Sequence, residues 1–294
     1  MTSWRMRSNL VVARVGDRSL HPGWIDPGAP RNWDLLLLPY QSIPDQSTLD
    51  CIVRDVVPGP KWSGIRQLLN EWDGWREYDH VWMPDDDIET DQGVINTMFD
   101  VADALALDLF APALDETSHY AHYSTMRNAR FHARLVGFVE IMVPGFRTSA
   151  LASLLPTLNL TDTGWGWGLD SVWPKLLGYE HVGIIDGTAV KHTRPVGQMR
   201  DLDLHQRILD ESDRLLEQYE CAQVHTTFAG FGPDLQPMDV TPERLLVDLV
   251  GGWQYLSDRD PRVLSWIVDF HRQHFPAAEY PVEGTPGSQG RSPR

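Results

Sequence analysis

A chain of 294 residues is long enough for one or two globular domains, and its 25 Lys and Arg against 41 Asp and Glu leave a formal net charge of −16. A surface that negative disfavours binding nucleic acid through a broad basic face, so no nucleic-acid partner is expected. The only cysteines are Cys51 and Cys221, with no C-x-x-C spacing, which excludes a disulfide framework and a cysteine zinc site. No apolar run reaches the ~20 residues of a bilayer span, and residues 1–9 lack the apolar core of a signal peptide, so a soluble, cytoplasmic protein is expected. Twelve Trp outnumber nine Phe and eight Tyr, and rings of that kind need either a large core or a surface for stacking ligands.

From Asn9 to about His192, short apolar runs alternate with longer mixed stretches, the pattern of an α/β domain whose sheet is largely buried. Strands are predicted over residues 10–15, 33–39 and 49–53, then a helix over 61–72 with apolar spacing at Ile65, Leu68, Leu69 and Trp72. A strand over 78–83 closes on Pro84 and the triplet Asp85, Asp86, Asp87, and a helix over 91–107 leads into a strand over 109–114. Further strands are expected over 135–143, 182–185 and 189–192, with short helices over 149–155 and 170–177. Beyond Pro195 the chain reads as helical. One helix spans 204–219, and Thr241 with Pro242 and Asp260 with Pro261 are cap-plus-proline starts for two more, which end near Leu256 and Phe275. Residues 276–294, rich in Pro, Gly and Ser, are expected to be disordered.

The strand that runs into Pro84, Asp85, Asp86, Asp87 and Ile88 puts a D-x-D at the carboxyl edge of a sheet, where α/β folds bind ligands. Asp85 and Asp87 offer hard oxygen ligands to a divalent cation, which can in turn bridge the oxygens of a diphosphate. The other reading is a solvated acidic loop that caps the next helix. In the segment Gly164, Trp165, Gly166, Trp167, Gly168, Leu169, Asp170, the glycines let backbone approach a ligand and the indoles offer an apolar ring to a sugar's C–H face. Asp170 is either a general base for an attacking hydroxyl or an ordinary N-cap, where the helix dipole would lower its basicity.

His192 follows the last strand segment, and an imidazole beside two carboxylates would complete a metal shell that favours Mn²⁺ over Mg²⁺. Lys191 and Arg194 flank it, as phosphate partners or as plain surface charge. Glu140 interrupts an apolar run and must be paired or used, in acceptor recognition or catalysis or in a structural hydrogen bond. His119 and His122 form an H-x-x-H with no cysteine behind it, so zinc is not expected there.

In this order, the segments resemble the family catalogued as domain of unknown function 707, related to glycosyltransferases of the GT-A fold. The likeness runs through Lys61-Trp62; Pro84 to Ile88; Ala111, Pro112, Ala113, Leu114 and Asp115; and Val139 to Phe146. It continues through Trp167, Gly168, Leu169 and Asp170, then Val182 to Asp186, and Val190 to His192, about residues 60–197 in all. Two departures stand out: Pro84 replaces the family's tryptophan, and the part after Pro195 has no counterpart.

The resemblance implies an α/β, GT-A-like (Rossmann-like nucleotide-diphospho-sugar transferase) domain over 1–198, a mixed sheet flanked by helices. A helical C-terminal extension over 199–275 would pack on it, followed by the tail. It implies a nucleotide-sugar donor, UDP- or GDP-linked, and a hydroxyl acceptor such as a glycan or small glycoside. It assigns Mn²⁺ or Mg²⁺ to Asp85, Asp87 and His192, the diphosphate to Asp85 and Asp87, and the base of an inverting transfer to Asp170; the residues themselves add Asp86, Lys61 and Arg194 for the donor, Glu140 for the chemistry, and Trp165, Gly166 and Trp167 as the acceptor wall. The alternatives are a metal-dependent hydrolase of sugar phosphates or nucleotide sugars, and a non-catalytic carbohydrate-binding protein with the same fold.

Overall fold

A computed structural model describes residues 7–42, 50–196 and 201–278. Its strands are β1 (Asn9–Val15), β2 (Trp33–Pro39), β3 (Ile52–Val53), β4 (His80–Trp82), β5 (Ile88–Glu89), β6 (Leu109–Leu114), β7 (Ala133–Val136), β8 (Gly145–Arg147), β9 (Val182–His192) and β10 (Thr227–Phe231). The helices are α1 (Lys61–Glu71), α2 (Gln92–Ala104), α3 (Thr148–Leu154), α4 (Leu169–Leu176), α5 (Leu202–Gln218), α6 (Pro242–Gly252), α7 (Gln254–Ser257) and α8 (Arg262–His274).

The expected mixed sheet flanked by helices is what these residues build, in the order β10-β7-β9-β6-β8-β4-β1-β2-β3. Four strands, β3, β2, β1 and β4, run parallel, with Val11 opposite Leu35 and Trp82. The strands β6 and β9 are parallel to each other, while β8 lies antiparallel between β4 and β6. Both β1 and β2 are buried along their whole length, as strands covered on both faces must be, and that is why they read as mostly apolar runs, interrupted only by Asn9, Arg14 and Asp34.

The structure departs from the expected elements in four places. The predicted strand over 135–143 splits: β7 stops at Val136 and the chain loops through 137–144 before β8, so Glu140 sits in a loop rather than a strand. At Gly137 a side chain is impossible, because a Cβ there would lie 2.6 Å from the Val224 carbonyl oxygen. The two segments predicted around Asp186 are one continuous strand, β9, whose pairing with β6 shifts register between Pro112 and Leu114.

The C-terminal part is not wholly helical, since β10 pairs antiparallel with β7 and extends the same sheet. Its short run, with Gly230 inside it and Gly232 just after, carries too little periodicity to be seen in the sequence. Thr241 caps α6 as expected, but α8 begins after Pro261, and Asp260 instead accepts a hydrogen bond from the Arg262 amide. The boundary expected near residue 198 and the tail from 279 onward lie outside the described residues.

Candidate active site

The end of β4 fixes the acidic triplet through its backbone: Met83 donates its amide to the Pro144 carbonyl at 2.9 Å and Asp85 donates to Met142 at 2.9 Å. Successive side chains then face different ways. Asp86 turns beneath the sheet edge, where its carboxylate accepts from the Gly16 amide (3.0 Å), the Tyr40 hydroxyl (3.0 Å) and Arg194 (2.9 Å). Asp85 is half-buried and lines a cavity of about 380 Å³ together with Lys61, Glu140, Trp165, Trp167 and His192. Of the eleven residues expected to serve donor, metal, acceptor or chemistry, these six share one cavity, and Asp87 touches it through His192.

Strand β5 is what brings His192 there. Ile88 pairs with His192 across an antiparallel ladder, and Asp87 Oδ2 lies 3.2 Å from His192 Nε2. The other ring nitrogen, Nδ1, is 2.7 Å from the His119 carbonyl, so the H-x-x-H contributes backbone rather than an imidazole. Burial alone would lower the His192 pKa, but its contacts with Asp87 and His119 outweigh it and raise it. Burial would raise Asp87, and His192 and Arg194 overcome that and lower it. The Oδ1 of Asp87 remains buried with no hydrogen-bond partner.

Lys61, the first residue of α1, has all three N–H donors engaged: Asp85 Oδ1 at 2.7 Å and the Ile141 and Met142 carbonyls at 2.8 Å each. It ties α1, the end of β4 and the 137–144 loop into one knot. Arg194 is likewise spent, on Asp86, the Arg18 carbonyl and, at 3.8 Å, Asp87. The two residues expected to meet donor phosphates are therefore held by carboxylates in this state.

Glu140 lines the cavity and is 7% exposed, and its Oε2 has no hydrogen-bond partner. Burial, and then the nearby Asp170, push its pKa up to about 8. Asp170 is not among the cavity-lining residues. It lies in the first turn of α4 behind Gly168, whose left-handed φ of 95° marks the cap, so Asp170 is not the N-cap the sequence offered as its alternative. Burial raises it to about 7, against the lowering by its Ser171 and helix-start hydrogen bonds. The helix start was expected to lower its basicity; desolvation wins.

The indoles of Trp165 and Trp167 are set by glycines. Gly164, Gly166 and Gly168 all have positive φ, and a Cβ on Gly166 would fall 2.5 Å from Trp62 Cδ1. Trp165 is 37% exposed, whereas Trp82 is fully buried. Among the described residues, no three His, Cys, Asp or Glu side chains form a ready-made metal cage, and no helix is long and apolar enough to cross a membrane.

Sequence reasoning missed the buried pair of Arg134 and Asp186, both fully buried with Nε to Oδ2 at 2.8 Å. A charge in the apolar run ahead of Gly187 was the available signal.

No family model matches the chain. A search of curated proteins finds no match. Among solved structures the chain is similar to S. aureus TarS residues 1–349, at 12% identity over 72% of each chain with a TM-score of 0.45. It is also similar to the same fragment in complex with UDP-GlcNAc, at 10% identity over 73% of this chain and 72% of that one, with a TM-score of 0.46.

Proposed function

We propose that the chain is a glycosyltransferase with a GT-A-like fold that moves a sugar from a nucleoside-diphosphate sugar to a hydroxyl, with a divalent cation, Mn²⁺ or Mg²⁺, at Asp85, Asp87 and His192. The observation that carries this reading is the meeting of Asp85, Glu140, His192 and two indoles around one cavity at the carboxyl edge of the sheet. The donor set supports the cation: two carboxylates and one imidazole, with an orphaned buried oxygen on Asp87. The tie between His192 Nδ1 and the His119 carbonyl is the kind of second contact that orients a ligating imidazole. When bound, such a cation neutralises the charge that develops on the departing diphosphate.

The protein's own residues do the rest. Glu140 reaches the cavity and has an open oxygen, so it takes the acceptor proton as the hydroxyl oxygen bonds to the sugar's anomeric carbon and the bond to the diphosphate breaks. A pKa of about 8 leaves Glu140 mostly protonated at pH 7, so its ionised form, the base, gains share as pH climbs toward 8. Asp170, which the sequence put first for this role, acts through Glu140 by raising it. Displacement from the face opposite the diphosphate gives inversion.

The test is thermal stability with UDP or GDP, with and without Mn²⁺. A ligand that binds only the native state at about 100 times its Kd adds roughly 2.7 kcal/mol. The expected result is a rise in Tm that needs both nucleotide and metal and disappears in Asp87→Asn. No shift with any nucleotide, or the same shift in Asp87→Asn, overturns the reading. The hydrolase alternative predicts sugar release at a rate indifferent to every acceptor.

A further inference from the structure

Each carboxylate of the acidic triplet is met by a basic side chain of the protein itself. Lys61 lies 2.7 Å from Asp85 Oδ1, Arg194 lies 2.9 Å from Asp86 Oδ1, and His192 Nε2 lies 3.2 Å from Asp87 Oδ2. Lys61 and Arg194 are not equivalent. Arg194 is anchored on Asp86 and the Arg18 carbonyl, is not among the cavity-lining residues, and reaches Asp87 only at 3.8 Å. Lys61 lines the cavity and sits directly on Asp85, one of the carboxylates that the glycosyltransferase reading gives to the cation. Its other two donors go to the Ile141 and Met142 carbonyls at 2.8 Å each, so one ammonium is ringed by three oxygens.

A carboxylate and two peptide carbonyls are hard oxygen donors of the kind a divalent cation also takes. With Lys61 in place, a dication at the other Asp85 oxygen would share that half-buried carboxylate with a positive charge already there, and the two repel. Lys61 can leave without dissolving the site. The 137–144 loop keeps its backbone bonds to the end of β4, Met83 to Pro144 and Asp85 to Met142, each at 2.9 Å, and α1 keeps the Trp62 amide on the Gly164 carbonyl at 3.1 Å. A diphosphate in the cavity brings oxygens that can take the ammonium in place of Asp85 and the two carbonyls.

We propose that Lys61 is an internal counter-ion that holds Asp85 against the divalent cation until a nucleoside diphosphate draws it off, so that the chain takes up cation and nucleotide together and binds the cation poorly by itself. This rests on the glycosyltransferase reading and adds the order in which the same site fills.

The experiment is equilibrium dialysis of Mn²⁺ against the full chain at physiological salt, in wild type, Lys61→Met and Lys61→Arg, with and without saturating UDP on both sides. Without nucleotide, Lys61→Met is expected to bind Mn²⁺ about ten-fold more tightly than wild type, and Lys61→Arg, which keeps the charge, to stay within about two-fold of it. With UDP the advantage of Lys61→Met should shrink to about three-fold or less, because the diphosphate then frees Asp85 in the wild type as well. Cooperative urea unfolding in chelator checks that each variant folds, and Lys61→Gln, uncharged but with donors left for the carbonyls, carries the same comparison if Lys61→Met does not. In wild type alone, Mn²⁺ at a concentration that saturates the UDP-loaded chain should leave Tm unchanged when UDP is omitted. Equal Mn²⁺ affinity in wild type and Lys61→Met, equal affinity in Lys61→Arg and Lys61→Met, an advantage that UDP does not reduce, or a wild-type Tm rise with Mn²⁺ alone as large as with both ligands overturns the proposal. The two readings fail separately. If UDP and Mn²⁺ together still raise the wild-type Tm, any of these results removes the counter-ion role and leaves the transferase; if no chain binds Mn²⁺ in any arm, the cation reading falls and the counter-ion role falls with it.

Discussion

Two sets of buried carboxylates are compensated very differently. Where β7 meets β9, Asp186 receives Arg134 through Nε at 2.8 Å and Nη2 at 3.1 Å, and the Asn128 amide at 2.8 Å. Arg134 in turn donates to the Ser124 and Met126 carbonyls and lies over the Trp253 ring. Nothing in that network is left for a ligand. Around the cavity, Asp87 and Glu140 each keep a buried oxygen without a partner. Burial costs the same kind of free energy in both places; Asp186 has hydrogen-bond partners on both oxygens, whereas Asp87, although His192 and Arg194 hold it charged, and Glu140 each leave one buried oxygen unmet. The difference separates carboxylates whose hydrogen bonds are complete from carboxylates with one place left open.

The largest expected effect breaks the compensated set. Arg134→Met leaves Asp186 charged and buried with its main partner gone, which should cost about 3–5 kcal/mol in urea denaturation. Replacing both members by apolar residues, Arg134→Met with Asp186→Leu, should recover most of that loss. Glu140→Gln, by contrast, replaces a buried carboxyl that holds its proton up to about pH 8 and has no ion-pair partner among the described residues, so the ligand-free protein should be no less stable for it while transferase activity falls sharply. A fully stable Arg134→Met would erase the distinction.

A second effect comes from pH, with the ligand-free protein in chelator. Glu140 and Asp170 have ordinary values of 4.5 and 3.8 and are raised to about 8 and about 7 in the folded chain. A raised carboxyl keeps its proton in the fold after the unfolded chain has released it. Its contribution is therefore complete below about pH 4 and is lost as pH climbs to about 8. The two titrate as a coupled pair, so the loss belongs to both.

His122 and His225, stacked 5.0 Å apart beside Phe138, behave oppositely. Burial lowers them from 6.5 to about 4 and about 3, so their contribution is present above pH 6.5 and is lost as pH falls. Between pH 6.5 and 8 only the carboxylate pair of these four still acts. The urea midpoint should fall across that window, and Glu140→Gln should flatten the fall. A flat wild-type profile there, or an unchanged slope in Glu140→Gln, sinks this account of the cavity.

Much of this contrast was legible in the residues, for physical reasons. The runs at 9–15, 33–39 and 109–114 are strands almost to the residue, because strands buried on both faces are mostly apolar. The contact of Asp87 with His192 comes from the pairing of β5 with β9, and Asp85 shares a cavity with His192. Two things were not legible. Asp86 looks identical to its neighbours in the sequence, and only the nearness of Gly16, Tyr40 and Arg194 makes it a structural anchor. The order of Glu140 and Asp170 also depends on which one reaches the cavity, a matter of loop path that no periodicity records.

The smallest effect tests the same comparison at the surface. Asp91 begins α2 with its side chain accepting the Val94 amide at 2.9 Å in an exposed setting. Such a carboxylate stays hydrated and satisfies one helix-end N–H, so Asp91→Ala should cost only about 1 kcal/mol. Asp91 lies four residues beyond Asp87, on the far side of β5, and its loss should leave the Mn²⁺- and nucleotide-dependent rise in Tm at its wild-type size. A change in that rise would mean that α2 transmits strain through β5 to His192. The cavity carboxylates would then depend on the helix cap, and the division between holding the fold and meeting a ligand would not be clean. An unchanged rise, with the ~1 kcal/mol loss in urea, places Asp91 with Asp186: same charge, much smaller burial, and a compensation completed inside the protein.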